Sequence, residues 1–118
     1  MKKHAAAVTL RLAEPGDARA IAEMSRDYIE AGLPWRYDPG HIGRVLRRRE
    51  TLALVAAERQ TYVARERPGL AGFAIMDFGD ERAHLVLLAV PPSLRRQGIG
   101  RRMMDWMLES ALTEIGRA

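Results

Sequence analysis

The sequence contains no cysteine, which excludes disulfide bonds, thiol nucleophiles and cysteine-ligated metals. It also has no apolar run that approaches the roughly 18 residues of a membrane-spanning helix. Residues 1–3 resemble the basic start of a signal peptide, but the apolar stretch at 5–8 is too short to continue one and soon meets Arg11. We therefore expect a cytoplasmic protein with no membrane partner.

Aromatic residues are also scarce, at 6% of the chain, whereas arginine supplies most of the positive charge behind a net charge of +4. Basic charge is compatible with nucleic acid, an anionic membrane or a phosphorylated ligand. The arginines form two clusters, at 44–49 and 95–102. Because no base-stacking aromatic motif accompanies them, we do not expect a nucleic-acid partner. The first cluster falls mostly off the apolar face of a predicted helix, which favours a solvated surface.

The chain length supports one domain, and the predicted elements alternate between strands and helices. We expect a disordered tail at residues 1–7 and one α+β (mixed α/β) domain over 8–118. Its mostly antiparallel central sheet is flanked by helices. In chain order, the predicted elements are a strand at Val8–Leu12, helices that begin near Pro15 and Pro39, strands at Leu70–Phe78 and His84–Val90, and a helix at Gly98–Leu112.

One apolar segment before the second half of the chain is ambiguous. Residues 52–57 fit either the end of a helix or a strand, because periodicity does not distinguish the two in a short apolar run. Residues 61–65 are predicted to be a strand. A turn at Pro68 and Gly69 would then join that strand to Leu70–Phe78 as a hairpin.

The segment from Val90 to Arg101 joins an apolar strand to a helix. The first turn of a helix has unpaired N–H groups and partial positive charge, so it attracts anions. Glycine at positions 98 and 100 lets a phosphate approach those N–H groups, and arginine at 95, 96, 101 and 102 adds permanent positive charge. We therefore expect this segment to bind a pyrophosphate group. The alternative is a tight turn with solvated arginines, and neither the Walker nor the dinucleotide pattern fits.

Here the sequence resembles a known family. Arg95-x-x-Gly98-x-Gly100 matches the Gln/Arg-x-x-Gly-x-Gly/Ala pattern of GCN5-related N-acetyltransferases (GNAT). The segments 87–92, 70–74 and 10–18 resemble that family's fourth strand, third strand and first strand with its helix entry. The resemblance covers residue 8 to the last residue. It implies a GNAT-like acyl-CoA N-acyltransferase fold that is truncated after the third helix and lacks the family's C-terminal strands.

The resemblance also implies a binding site for acetyl-CoA as co-substrate, with no metal. Backbone N–H groups of the loop would hold the pyrophosphate, and backbone groups of the fourth strand would pair with the pantetheine arm. A bulge in that strand usually admits the thioester, and an N–H near Val90 would stabilise the oxyanion. The implied binding residues are Leu88, Ala89, Val90, Arg95, Arg96, Gln97, Gly98, Ile99, Gly100 and Arg101.

The catalytic base is the least constrained part of this interpretation. Glu81 and His84 lie where the family often places a base or orders a water, although an ordinary hairpin carboxylate and a strand-end histidine with a satisfied partner are the favoured explanations. Trp35 and Tyr37 correspond to the wall of the acceptor site, and simple packing is the alternative. No residue is assigned as the acid that protonates the leaving thiolate.

Two functions remain open at this point. The first is an N-acetyltransferase that transfers the acetyl group of acetyl-CoA to a primary amine by direct attack. The second is a truncated, non-catalytic coenzyme-A-binding domain. The acceptor is a small-molecule or peptide amine, with peptide N-termini, polyamines, aminoglycosides, amino acids and aminoacyl-tRNA all open. Because residues 85–90 carry no charge that would protect a strand edge, we also expect a homodimer.

Overall fold

A computed structural model describes residues 8–58, 69–79 and 82–116. It contains an antiparallel sheet in the order β1-β2-β3-β4, together with three α-helices. The predicted α+β fold is confirmed. The predicted disordered tail at 1–7 lies outside the described residues and stays a prediction. The strands are β1 (Val8–Leu12), β2 (Thr51–Glu58), β3 (Leu70–Phe78) and β4 (Ala83–Ala89), and the helices are α1 (Ala18–Tyr28), α2 (Pro39–Leu46) and α3 (Ile99–Gly116).

The ambiguous segment at 52–57 belongs to strand β2. It pairs with β1 on one side and β3 on the other, and Leu54, Val55 and Ala56 are completely buried. The predicted strand at 61–65 lies outside the described residues. The predicted hairpin partner of β3 is replaced. Strand β3 pairs antiparallel with β2 along one edge and with β4 along the other.

The first strand and first helix are joined by an ion pair. Arg11 donates two hydrogen bonds to the Asp17 carboxylate, at 2.8 and 3.0 Å, and the backbone N–H of Glu14 donates a third at 2.7 Å. These hydrogen bonds outweigh partial burial and lower the pKa of Asp17, with the Arg11 bond as the largest cause. The Arg11 and Asp17 positions that resemble the family's helix entry therefore have a direct structural role.

Helices cover both faces of the sheet. Ile21 and Ala22 of α1 and Ile42 and Val45 of α2 pack with Phe73 on one face. On the opposite face, α3 packs its apolar stripe onto β2 and β3. That stripe consists of Ile99, Met103, Met107 and Ala111, all of them buried. Within 8–58, 69–79 and 82–116, no helix is long and apolar enough to cross a membrane.

Helix α3 approaches the sheet closely at Gly72. A Cβ atom on Gly72 would lie 2.9 Å from Met103 Cε and 3.0 Å from the backbone oxygen of Ala89. The backbone oxygen belongs to the neighbouring strand and cannot move aside as a flexible side chain can. Glycine at this position therefore allows α3 to pack tightly beside β4, which leads into the loop described next.

Candidate functional site

The candidate site is the connection between β4 and α3. Pro91 ends the strand, a 3-10 turn covers Pro92–Leu94, and α3 starts at Ile99. Two residues between them, Arg96 and Gly98, have positive φ angles of 67° and 85°. Such angles turn successive N–H groups toward one side of the backbone, which creates a concave anion-binding surface.

The N–H groups in the second half of this loop are unpaired. The amides of Leu94 and Arg95 donate to Pro91 and Pro92, and the first helical hydrogen bond runs from Arg102 to Gly98 at 2.9 Å. Within the described part of the chain, none of the amides from Arg96 through Arg101 donates a backbone hydrogen bond. The first turn of an 18-residue helix adds the partial positive charge of its N-terminus. The loop therefore presents a run of donors with unmet capacity.

Glycine keeps this surface open. A Cβ atom on Gly98 would meet nothing within 4 Å, so the space beside that residue is empty. A Cβ atom on Gly100 would meet only Val90 Cγ2, at 3.7 Å, which is ordinary van der Waals contact. The cavity here has a volume of about 310 Å³. It is lined by Val90, Leu94, Arg95, Arg96, Gly98, Ile99, Gly100 and Arg101.

The arginines around the loop have different positions. Arg95 Nε donates to the backbone oxygen of Val90 at 2.9 Å, so this side chain fastens the loop to the end of the strand. Arg96 and Arg101 line the cavity with exposed side chains, where they add positive charge. Gln97, which the sequence placed in the same set, is half-buried and is not among the cavity-lining residues. Unpaired amides, open space and positive charge together fit a pyrophosphate group.

Strand β4 carries the predicted irregularity. Ile75 pairs with Leu87, whereas Met76 pairs with Leu85, so Val86 is an extra residue in β4. This is the position of a β-bulge. In the described residues β4 pairs with β3 alone, which leaves its other edge open beside Leu88 and Ala89. A linear ligand with amide groups can therefore pair with that edge as an added strand does.

Only one of the two candidate bases, His84, lies in the part of the chain that the structure describes. Glu81 lies outside the described residues. His84 is exposed and lies directly opposite Asp77 of β3, and Asp77 accepts a hydrogen bond of 2.8 Å from the Thr51 hydroxyl of β2. Nothing in the sequence distinguishes Asp77 or Thr51, because only the pairing of three strands brings them beside His84.

The candidate acceptor-wall residues lie between α1 and α2. Trp35 Nε1 donates to the backbone oxygen of Ala22 at 3.1 Å, and the guanidinium carbon of Arg26 lies 5.2 Å from the Trp35 ring centroid. Tyr37 stacks on His41 with ring centroids 4.7 Å apart. Trp35 and Tyr37 are half-buried against the core on this face, so the structure gives each of them a packing contact. Their role at an acceptor site stays a prediction.

A buried carboxylate fixes the segment that carries these aromatic residues. Glu30 accepts hydrogen bonds from the Ser25 hydroxyl and the Arg36 N–H, both at 2.7 Å, and from the Tyr37 N–H at 3.3 Å. Burial alone would raise the pKa of Glu30, but these hydrogen bonds outweigh it and lower the pKa from 4.5. Sequence analysis missed Glu30, since nothing in its neighbours distinguishes it from a surface glutamate.

Among the described residues, no group of three or more histidine, aspartate or glutamate side chains is arranged to hold a metal ion. An antiparallel sheet whose strand β4 leads into an anion-binding loop and a long helix is the arrangement expected of acyl-CoA N-acyltransferases. The family model for the acetyltransferase (GNAT) domain matches residues 57–118, more than half of the chain. The chain therefore belongs to the GNAT acetyltransferase family, which is a family of acyltransferases.

Solved structures agree with this assignment. The chain is similar to a ribosomal-protein-alanine N-acetyltransferase from Brucella melitensis biovar Abortus 2308, with 25% identity and a TM-score of 0.68 over 93% of this chain and 75% of that one. It also resembles the GNAT family N-acetyltransferase YhbS from Escherichia coli in complex with CoA, with 21% identity and a TM-score of 0.63 over 94% of this chain and 59% of that one.

A third similar structure is an aminoglycoside 6'-N-acetyltransferase complexed with coenzyme A. The identity is 15% and the TM-score 0.66, over 89% of this chain and 56% of that one. This structure and YhbS show the shared fold alone, because their identities are low. No curated protein sequence matches the chain.

Proposed function

We propose that this protein is an N-acetyltransferase that transfers the acetyl group of acetyl-CoA to a primary amine by direct attack. The observation that carries the proposal is the run of unpaired amides from Arg96 through Arg101, which faces an open cavity at the start of α3. Pyrophosphate is the anion that such a loop accommodates, and coenzyme A contains one. Similar solved structures in complex with coenzyme A support the same ligand.

The chain's own residues would bind and orient the donor. The loop amides would hold the pyrophosphate, and Arg96 and Arg101 would screen its charge. The open edge of β4 at Leu88, Ala89 and Val90 would pair with the pantetheine arm. When bound, acetyl-CoA supplies a thioester carbonyl that an amine can attack. A backbone N–H near Val90 would stabilise the negative charge that develops on that carbonyl oxygen.

The attacking amine must lose a proton. His84 is the described candidate for this base, and Asp77 lies opposite it in the pairing of β3 with β4. Glu81 remains the second candidate from the sequence. Both assignments are part of the proposal.

Isothermal titration with coenzyme A tests the donor site. Gly98→Glu places a carboxylate in the open space that the pyrophosphate would occupy, so we expect it to abolish binding. Gly98→Ala is the matched control, because it carries the same cost of a side chain at a φ of 85° but adds no carboxylate to the open space. Both variants need circular dichroism spectra like that of the parent. Equal affinity of the parent and Gly98→Glu would refute the site.

Turnover separates the two functions that the sequence left open. A GNAT enzyme should release free thiol from acetyl-CoA in the presence of an acceptor, within the common range of about 1–10³ s⁻¹. Coenzyme A binding without thiol release over a broad panel of amines would favour the non-catalytic alternative. The panel should include peptide N-termini, aminoglycosides and spermidine, because similar structures carry the names of enzymes for such acceptors.

We also propose a homodimer in the cytoplasm. The dimer would form along the first part of β4, around the exposed Leu85, because the outer edge of β4 has no strand partner among the described residues and the part at Leu88 and Ala89 is left for the pantetheine arm. An open, uncharged strand edge readily pairs with another chain. Sedimentation velocity at low micromolar concentration should show a dimer that Leu85→Lys dissociates. A parent chain that sediments as a monomer would contradict this part of the proposal.

A further inference from the structure

A second cavity lies at the opposite end of the sheet from the anion-binding loop. Its volume is about 490 Å³, within the range of small-molecule sites. It lies where β2 starts, β3 ends and β4 starts, and the residues that concern us are Arg48, Arg49, Glu50, Thr51, Asp77 and His84. His84 is the candidate base from the sequence, whereas Trp35 and Tyr37, the predicted wall of the acceptor site, are not among the residues that line this cavity.

The cavity is connected to the reaction centre by strand geometry. Thr51, Asp77 and His84 are successive cross-strand partners, so their side chains share one face of the sheet. Ile75, two residues before Asp77, packs in the core under α1 and α2, so this is the face that those helices cover. His84 lies two residues before the bulge at Val86, a distance of about 7 Å along a strand. A small amine in the cavity could therefore reach a thioester beside the bulge.

Charges of both signs line the cavity without neutralising each other. Arg48 and Arg49 contribute cations, while Glu50 and Asp77 contribute carboxylates. Within the part of the chain that the structure describes, no salt bridge of 4.0 Å or less joins either arginine to either carboxylate. Asp77 is half-buried and is held by the Thr51 hydroxyl at 2.8 Å, so its position is fixed in advance.

Such a charge pattern favours one class of ligand. A polycation would be repelled by the two arginines, and a polyanion by the two carboxylates. A small molecule with one ammonium and one anionic group complements both sets. We propose that this cavity binds the acetyl acceptor and that the acceptor is an amphoteric amine. Asp77 and His84 receive its ammonium, and Arg48 and Arg49 bind its carboxylate or similar anion. The inference rests on the proposed function, because the acceptor matters only if acetyl-CoA is the donor.

The test compares matched acceptors. Amino acids whose amine and carboxylate are separated by different lengths are assayed beside their amides, which keep the amine and lack the negative charge. We expect kcat/KM to be at least tenfold higher for the best amino acid than for its amide. In the charge-reversal variant Arg48→Glu/Arg49→Glu that preference should disappear or reverse. The preference is the ratio of kcat/KM for the amino acid to kcat/KM for its amide. Comparing this ratio between variant and parent cancels the different intrinsic reactivities of the two amines.

The control is Arg44→Glu/Arg47→Glu, which makes the same change of charge in the same cluster but at residues outside the cavity. It should keep the parent's preference. Coenzyme A affinity is measured for the parent and for each variant. A parent protein that does not bind coenzyme A would refute the proposed function itself. If the parent binds coenzyme A but prefers the amides, acetylates no member of the panel, or responds equally to both double variants, the acceptor assignment is wrong.

Discussion

Replacing Glu30 gives a direct test of how the segment between α1 and α2 is held. Its carboxylate is 7% exposed and accepts hydrogen bonds from Ser25, Arg36 and Tyr37. Glu30→Gln keeps the shape and one acceptor oxygen but removes the charge. Glu30→Ala removes every acceptor and leaves the buried Ser25 hydroxyl without its partner.

The magnitudes follow from these contacts. Hydrogen bonds to a charged group contribute about 1.5–3 kcal/mol, and glutamine retains part of this, so we expect Glu30→Gln to lower the free energy of unfolding by about 1–2 kcal/mol. Glu30→Ala should cost about 2–4 kcal/mol, because it leaves buried donors unsatisfied. For a domain of this size each kcal/mol corresponds to roughly 4 °C in Tm. The expected decreases are therefore about 4–8 °C and 8–16 °C.

The stabilisation that Glu30 provides should decrease as the pH falls. The pKa of Glu30 is lower in the folded protein than its ordinary value of 4.5, so the folded state favours the ionised form. Its stabilisation is present above the unfolded-state pKa and is lost as pH falls through the folded-state pKa. The gap in Tm between the parent and Glu30→Gln should therefore be largest near pH 7 and should narrow below about pH 4.5.

Thermal unfolding followed by circular dichroism at several pH values measures this effect. Asp27→Asn is the control, because it removes an exposed acidic side chain one turn earlier whose salt-bridge partner among the described residues is Arg26 alone. Its Tm should match that of the parent. A Glu30→Gln variant as stable as the parent at pH 7, or a gap that widens in acid, would refute the role given to the buried carboxylate.

Three further outcomes are expected. Gly72→Ala should lower stability by about 1–3 kcal/mol in chemical denaturation, since its methyl group would overlap Ala89 and Met103, whereas Gly16→Ala, with nothing nearby, should not. Asp17→Asn should cost about 1 kcal/mol at pH 7, and this difference should shrink as the pH falls below about 3.8 and disappear only below the folded-state pKa of Asp17, because folding lowers that pKa. His84→Gln should lower kcat without changing coenzyme A affinity; an unchanged kcat would exclude His84 as the base.

The geometry of the loop proposed to bind coenzyme A was predictable because its information is local. A β-strand ended by proline, glycine at 98 and 100, and arginines on both sides all lie within a dozen residues of each other. The structure adds only what sequence cannot specify, such as the positive φ of Arg96 and the contact between Arg95 and the Val90 oxygen. In the same way, the capping aspartate at position 38 and the first-turn proline at 39 predicted the start of α2. In the structure Asp38 accepts a hydrogen bond from the His41 N–H.

The second cavity was not predictable, because its parts are distant in sequence. Thr51 and Asp77 are 26 residues apart, and only the register of β2 against β3 makes them hydrogen-bond partners. Register depends on which face of each strand is buried, and residues 52–57 did not even indicate whether they form a strand. Glu30 could not be identified for the same reason, since its carboxylate accepts hydrogen bonds from Arg36 and Tyr37 in the connection between α1 and α2.

The bulge in β4 explains why His84 in particular could not be placed from its sequence. Regular alternation backward from the buried Leu87 would put Leu85 on the face covered by α1 and α2, with His84 on the opposite face under α3. The extra residue at Val86 reverses this alternation, so His84 lies opposite Asp77 on the α1 and α2 face. One inserted residue thus turns the candidate base toward the cavity proposed for the amine, on the same strand whose open edge is proposed to hold the donor.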